Sequence, residues 1–190
     1  QLYGMSEGGI VAANAPDTRV IGSVGSAGMY QEITIRDNRG SALPPGEIGD
    51  IETVSAQHAQ AYLHASGEIE PIRGQPLKTG DLGYLDDNGF LRITGRAKDV
   101  IIRGGENIAS KEVEDVLSRH PAVDDVAVVA EPDERLGERV CAFVTLRESA
   151  ELSLETVQRH FAEAGVARQK TPARLEIVEA FPRTAAGKIK

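Results

Sequence analysis

From residue 31 the chain alternates. Gln31-Glu32-Ile33-Thr34-Ile35-Arg36-Asp37 sends apolar and polar side chains to opposite sides, as a half-buried strand does. Asn38-Arg39-Gly40 predicts a turn and Leu43-Pro44-Pro45-Gly46 a second break, after which Glu47 through Val54 resumes the alternation. Asp86-Asp87-Asn88-Gly89 separates Leu82-Gly83-Tyr84-Leu85 from Phe90-Leu91-Arg92-Ile93-Thr94, which predicts a hairpin. Short strands at this spacing predict a β-rich first half, residues 1–95, built as a small barrel or a bent sheet.

After Gly95 the period changes. Val100-Ile101-Ile102 predicts a short strand. Ser110 is placed to cap a helix whose Val113, Val116 and Leu117 share one face, with Glu112 near the positive end of the dipole and Pro121 as its stop. Val126 to Val129 predicts a buried strand, Glu131-Pro132-Asp133 the start of a loop, and Val140 to Leu146 the next strand. Ser153 is placed to cap a second helix reaching about Ala164, with Leu154, Val157 and Phe161 inward, and Leu175 to Val178 predicts a last strand. The expected class is α+β: a small β-rich, barrel-like unit, then a compact domain over residues 100–190 with a short sheet flanked by helices. The boundary falls at residues 96–99, where the character switches.

Composition narrows the functions. The chain has 190 residues, enough for one or two domains, with 41% hydrophobic and 26% charged residues, the balance of a soluble globular protein. A net charge of −8 argues against sequence-independent nucleic-acid binding, which needs a basic surface. No stretch approaches the ~18 apolar residues of a membrane span. The single cysteine, Cys141, lies in the apolar run Arg139 to Val144 and reads as a small buried hydrophobe, so a reducing, cytoplasmic setting is expected. His58, His64, His120 and His160 have no metal-ligand spacing. His120 precedes Pro121 at a helix end, where a cation would favour the dipole. The opening Gln1-Leu2-Tyr3 reads as the interior of a longer protein.

Four polar, glycine-bearing segments remain. They are Tyr3-Gly4-Met5-Ser6-Glu7, Thr79-Gly80-Asp81, Gly95-Arg96-Ala97-Lys98-Asp99 running into Gly104-Gly105-Glu106-Asn107, and the terminal Pro182 to Lys190 with Gly187-Lys188. Taken singly they fit a turn ending a strand, an Asx turn before a strand, a charged turn leading to a glycine-rich one, and a solvated tail. In this order, from residue 1 to residue 190, they resemble the adenylate-forming superfamily: acyl-CoA synthetases, peptide-synthetase adenylation domains and luciferases. The stretch Val100 to Ile108 is more similar to the acyl-CoA synthetases.

The resemblance assigns roles residue by residue. Residues 1–95 become the C-terminal part of a large AMP-binding domain, 96–99 the hinge and 100–190 the small domain. Tyr3 offers a flat face to adenine, Ser6 a hydroxyl to a phosphate oxygen, and Glu7 a hard oxygen to Mg2+. Asp81 and Arg96 reach the ribose; a carboxylate can accept both hydroxyls. One departure is Pro76, where many relatives carry an aromatic residue. Lys98 takes the hinge position, and Gly104 and Gly105 line the tunnel for the CoA thiol. Lys188 contacts the α-phosphate side and the attacking carboxylate, as a compact charge on a long stem can. The implied protein is an ATP-dependent acyl-CoA synthetase using ATP, Mg2+ and CoA on an unidentified carboxylic acid. The family's phosphate loop and most of its acyl pocket are expected upstream, so residues 1–190 alone are expected to be inactive or nearly so. Two alternatives stay open: an adenylation domain that loads a carrier protein, and a non-catalytic nucleotide- or partner-binding domain. The joint presence of Glu7, Asp81, Arg96 and Lys188 argues against the latter.

Overall fold

The computed structural model describes residues 1–185, 187 and 189. The chain divides into two compact units, Gln1–Ala97 and Lys98–Lys190.

The first unit is all strand. β1 (Leu2–Met5), β2 (Gly9–Ala13) and β3 (Ser26–Ala27) form an antiparallel sheet in that order. The alternating segments become β4 (Gln31–Arg36) and β5 (Gly49–Ser55), paired antiparallel from Gln31↔Ser55 to Arg36↔Asp50. A short hairpin that the sequence pattern did not announce, β6 (Ala61–Leu63) and β7 (Ile69–Pro71), stands outside the main sheet. β8 (Leu77–Leu85) and β9 (Leu91–Arg96) complete a four-stranded sheet ordered β4-β5-β8-β9, with Asp86–Gly89 as the turn predicted for it. Asp86 builds that turn by accepting from the backbone N–H groups of Asn88 and Phe90. Those bonds, together with the facing Arg92, hold its carboxyl below the usual range. The core gathers Ala12, Val24, Ile35, Ile51 and Leu91, with Tyr3 and Ile93 packed against them.

The second unit is α+β. β10 (Val100–Arg103) and β11 (Glu106–Ala109) form a hairpin closed by Gly104-Gly105. Both glycines have positive φ, 60° and 86°, as a two-residue turn matching strand twist demands. Glu106 and Asn107 therefore belong to a strand and not to a turn leading into the helix. α1 (Ser110–Leu117) follows without a break, so Ser110 is its first residue; the cap position is Ala109, which has no side-chain oxygen to offer. The helix stops at Leu117, one short turn before Pro121.

β12 (Val123–Asp133) and β13 (Gly137–Leu146) are longer than predicted and pair antiparallel down to Asp133↔Gly137. The expected loop at Glu131-Pro132-Asp133 is strand, because β13 supplies a partner for every position. Within β12 only Val123 and Val128 are buried, and Val129 is exposed. α2 (Leu154–Glu163) starts at Ser153, whose Oγ accepts from the Thr156 N–H at 3.2 Å as predicted. β14 (Arg174–Ile177) runs parallel to β13. Val157 and Phe161 on α2 and Val113 and Leu117 on α1 are fully buried with Ile101, Val140 and Val144 of the sheet. Cys141 is buried in β13, and burial pushes its thiol pKa up, so it is a core residue. Among the described residues no helix is long and apolar enough to cross a membrane.

Candidate functional site

The β5–β8 ladder contains a bulge. Asp50 pairs with Leu82 and Glu52 with Lys78, so two steps on β5 match four on β8. Thr79-Gly80-Asp81 stands opposite the single residue Ile51, a surplus of two. Gly80 sits at φ 77°, which a residue with a Cβ adopts only at a cost. Thr79 Oγ1 fixes the bulge from both sides: it donates to the Ile51 carbonyl at 3.0 Å and accepts from the Asp81 N–H at 3.1 Å. Asp81 therefore lies inside a strand, held by its threonine, and not in a turn before one.

Three predicted residues meet there. Tyr3 Oη donates to Asp81 Oδ2 at 2.7 Å, across 78 residues of chain. Arg96, opposite Asp81 in the β8–β9 ladder, brings Nε to 3.2 Å from Oδ1. The Asp81 side chain is 14% exposed and that of Arg96 54%, so the carboxylate is sheltered while the guanidinium faces solvent. Burial, reinforced by Asp81 and opposed by the hydrogen bond with Thr79, holds the Tyr3 hydroxyl well above the ordinary tyrosine range. Each Asp81 oxygen keeps lone pairs for further donors.

Ser6, Glu7 and Gly8 form the turn between β1 and β2. Ser6 is exposed and Glu7 half-buried. The turn is braced from outside: Ala59 N–H donates to the Glu7 carbonyl at 2.7 Å, and Gln31 Nε2 to the Gly8 carbonyl at 2.8 Å. Tyr62 Oη reaches Glu7 Oε1 at 3.5 Å, and burial together with that carboxylate raises the Tyr62 pKa. Among the described residues no group of three or more His, Cys, Asp or Glu side chains converges on a metal position. A single carboxylate nonetheless fits Mg2+, which is commonly held by one or two carboxylates plus substrate phosphates.

The remaining predicted residues lie elsewhere. Lys98 is exposed in a 3-10 turn, Ala97–Asp99. Gly104 and Gly105 form the β10–β11 turn, where Gly104 N–H donates to the Leu136 carbonyl at 2.8 Å. Lys188 lies outside the described residues. Sequence reasoning passed over Thr79, Gln31 and Tyr62. Thr79 stood in one of the four glycine-bearing segments, and Gln31 only in an alternating strand.

Comparison with known proteins gives the family of the C-terminal domain. A family described as the AMP-binding enzyme C-terminal domain matches residues 112–188. The chain carries a C-terminal domain of the adenylate-forming superfamily. It is 39% identical to the medium-chain fatty-acid–CoA ligase of Escherichia coli (strain K12), over 100% of this chain and 34% of that protein. It is 36% identical to the 2,3-dihydroxybenzoate-AMP ligase of Bacillus subtilis (strain 168), over 100% of this chain and 36% of that protein. Among solved structures, ATP-bound MatB from Rhodopseudomonas palustris superposes with a TM-score of 0.87 at 30% identity, covering 99% of this chain and 38% of that one. The chain thus spans about a third of the length of the curated relatives it matches. Those relatives include both a CoA ligase and an AMP ligase, so membership reaches the superfamily and not one branch of it.

Proposed function

We propose that the protein is an ATP-dependent adenylate-forming ligase that activates a carboxylic acid and transfers the acyl group to the thiol of CoA. The observation that carries this reading is the convergence of Tyr3, Asp81 and Arg96 on a strand bulge. A sheltered carboxylate beside an exposed guanidinium can receive two vicinal hydroxyls, and the half-buried Tyr3 ring lies beside it as a surface for a purine. Asp81 would hold the ribose, Arg96 would steady it, and Ser6 would contact a phosphate oxygen.

In the first half-reaction a carboxylate oxygen attacks the α-phosphorus and the bond to pyrophosphate breaks, giving acyl-adenylate. Anion meets anion, so positive charge must be in place before attack. Lys188 would place an ammonium at the α-phosphate, and Glu7 would hold Mg2+, which supplies charge neutralisation on the phosphates. In the second half-reaction a thiol attacks the acyl carbon and AMP leaves. Gly104 and Gly105 would border the thiol's path, and Lys98 would be the hinge. The stretch Val100 to Ile108 favours CoA as acceptor.

A second reading keeps the adenylation and changes the acceptor to a carrier protein. The match to an AMP ligase, whose name carries no CoA, keeps it beside the first. The test uses the full-length protein with a panel of carboxylic acids. Acid-dependent exchange of pyrophosphate into ATP is expected, followed by CoA-dependent release of AMP. Exchange without CoA-dependent release would replace the first reading by the second, and no exchange with any acid would overturn both.

A further inference from the structure

We infer that Gln31 is a positioning residue for the Ser6-Glu7-Gly8 turn, and through it for the metal–triphosphate end of the nucleotide. The inference rests on the proposed nucleotide site. The Gly8 carbonyl can only accept, so the amide nitrogen of Gln31 must face it, at 2.8 Å. The amide oxygen then faces inward. There it accepts from Thr53 Oγ1 at 2.7 Å and lies 3.3 Å from His58 Nε2. Thr53 is fully buried and His58 is 5% exposed.

These contacts fix one another's direction. Because Gln31 Oε1 accepts, His58 Nε2 turns a hydrogen towards it, and the other ring nitrogen is Nδ1. That atom is buried without a hydrogen-bond partner of normal geometry. Burial keeps the His58 pKa below the ordinary histidine range, and the Gln75 backbone opposes this only in part. The result is an amide that can point only one way, backed by the buried His58 ring. Gln31 occupies the first position of β4, opposite Ser55, where the alternation of the strand asks for no particular polar residue. What requires an amide there is the turn: one end must donate to Gly8 while the other accepts from the core. Glu7 sits one residue from that brace and carries the carboxylate assigned to Mg2+.

The test is equilibrium binding of MgATP and of AMP to the full-length protein, by calorimetry. Gln31→Glu keeps the shape and the inward acceptor but turns a carboxylate oxygen toward the Gly8 carbonyl. Gln31→Met removes the brace without adding charge, should the first variant fold poorly. Each is expected to weaken MgATP about tenfold or more while changing AMP by less than about twofold, since AMP lacks the phosphates that Glu7 serves through the metal. A merely structural role would weaken both ligands together and lower the melting temperature in step. Unchanged MgATP affinity, or an equal loss for both ligands, would overturn the inference alone. A wild-type protein that binds neither nucleotide would overturn the proposed function and this inference with it.

Discussion

Asp81 is the most committed side chain of the candidate site. Both of its oxygens are already engaged by the protein: Oδ2 accepts from Tyr3, and Oδ1 is ion-paired with Arg96. An asparagine in its place has one oxygen and one nitrogen, and the nitrogen cannot accept from either donor. Asp81→Asn is therefore expected to weaken AMP binding by about 10- to 100-fold, the ~1.5–3 kcal/mol of a hydrogen bond to a charged group. The melting temperature should move little, because the Arg96 side chain is largely in water and such pairs contribute at most about 1 kcal/mol. Calorimetric titration with AMP beside a thermal melt separates the two. Tyr3 makes a second prediction. Its folded pKa is raised above the unfolded value of about 10, so the folded state holds the proton longer. The stability this gives is complete below pH ~10 and is lost as pH climbs above it. Tyr3→Phe should flatten that alkaline loss in urea titrations; Tyr62, shifted in the same direction, should leave a residual slope. At this scale Tyr3, Asp81 and Arg96 were legible because each lies in a short glycine-bearing segment. Thr79's grip on Ile51 and Gln31's on Gly8 were not, since those bonds join residues 28 and 23 apart and no local pattern encodes them.

Secondary structure was legible where a local rule settles it. Ser153 is followed by a helical period, and its side chain caps α2. Ser153→Ala should cost about 1 kcal/mol, read as a lower urea midpoint with an unchanged slope. Ser110 obeys the same local rule and yet is no cap, because the β10–β11 hairpin delivers the chain one residue early. β12 outran its apolar segment for a related reason: pairing with β13 carries the strand through Glu131, Pro132 and Asp133, which no strand propensity favours. His120 shows tertiary packing reversing a helix-end argument. A helix dipole favours a cation there by about 0.3–1 kcal/mol. In the fold, however, His120 Nδ1 accepts from the Ala122 N–H at 3.2 Å and the ring meets His160 edge-on at 5.0 Å. Burial first, and His160 second, lower its pKa. A folded pKa below the unfolded ~6.5 means that the folded state binds fewer protons, so this part of the stability is present above pH ~6.5 and fades below it. His120→Asn keeps an acceptor for Ala122 and removes the titration. Its urea midpoint should fall less steeply than that of the wild type between pH ~6.5 and ~5.

Two units with separate cores joined through the Ala97–Asp99 turn suit the proposed reaction, which makes two consecutive demands. Adenylation needs a cation at the α-phosphate when pyrophosphate departs. Thioester formation needs a clear path for a narrow thiol arm and no longer needs that cation, because the acyl-adenylate is already made. If Lys188 serves only the first demand, Lys188→Ala in the full-length protein should slow pyrophosphate exchange by about 10²- to 10³-fold, the usual cost of removing one stabilising donor from a developing charge. Thioester formation from supplied acyl-adenylate should stay near the wild-type rate. Gly105→Leu should do the opposite. Nothing lies within 4 Å of a Cβ built at Gly105, so the side chain would enter open space, at the cost of strain from a φ of 86°. Gly105→Ala separates the two effects, since it carries that backbone strain with hardly any bulk. Lys98→Pro would fix φ and remove a donor in the joining turn, and should mainly slow the thioester step. Rapid-quench measurement of both half-reactions in each variant decides the matter. Equal slowing of both steps in Lys188→Ala would mean that this lysine holds structure together and does not serve one transition state, and the division of labour between the units would fall with it.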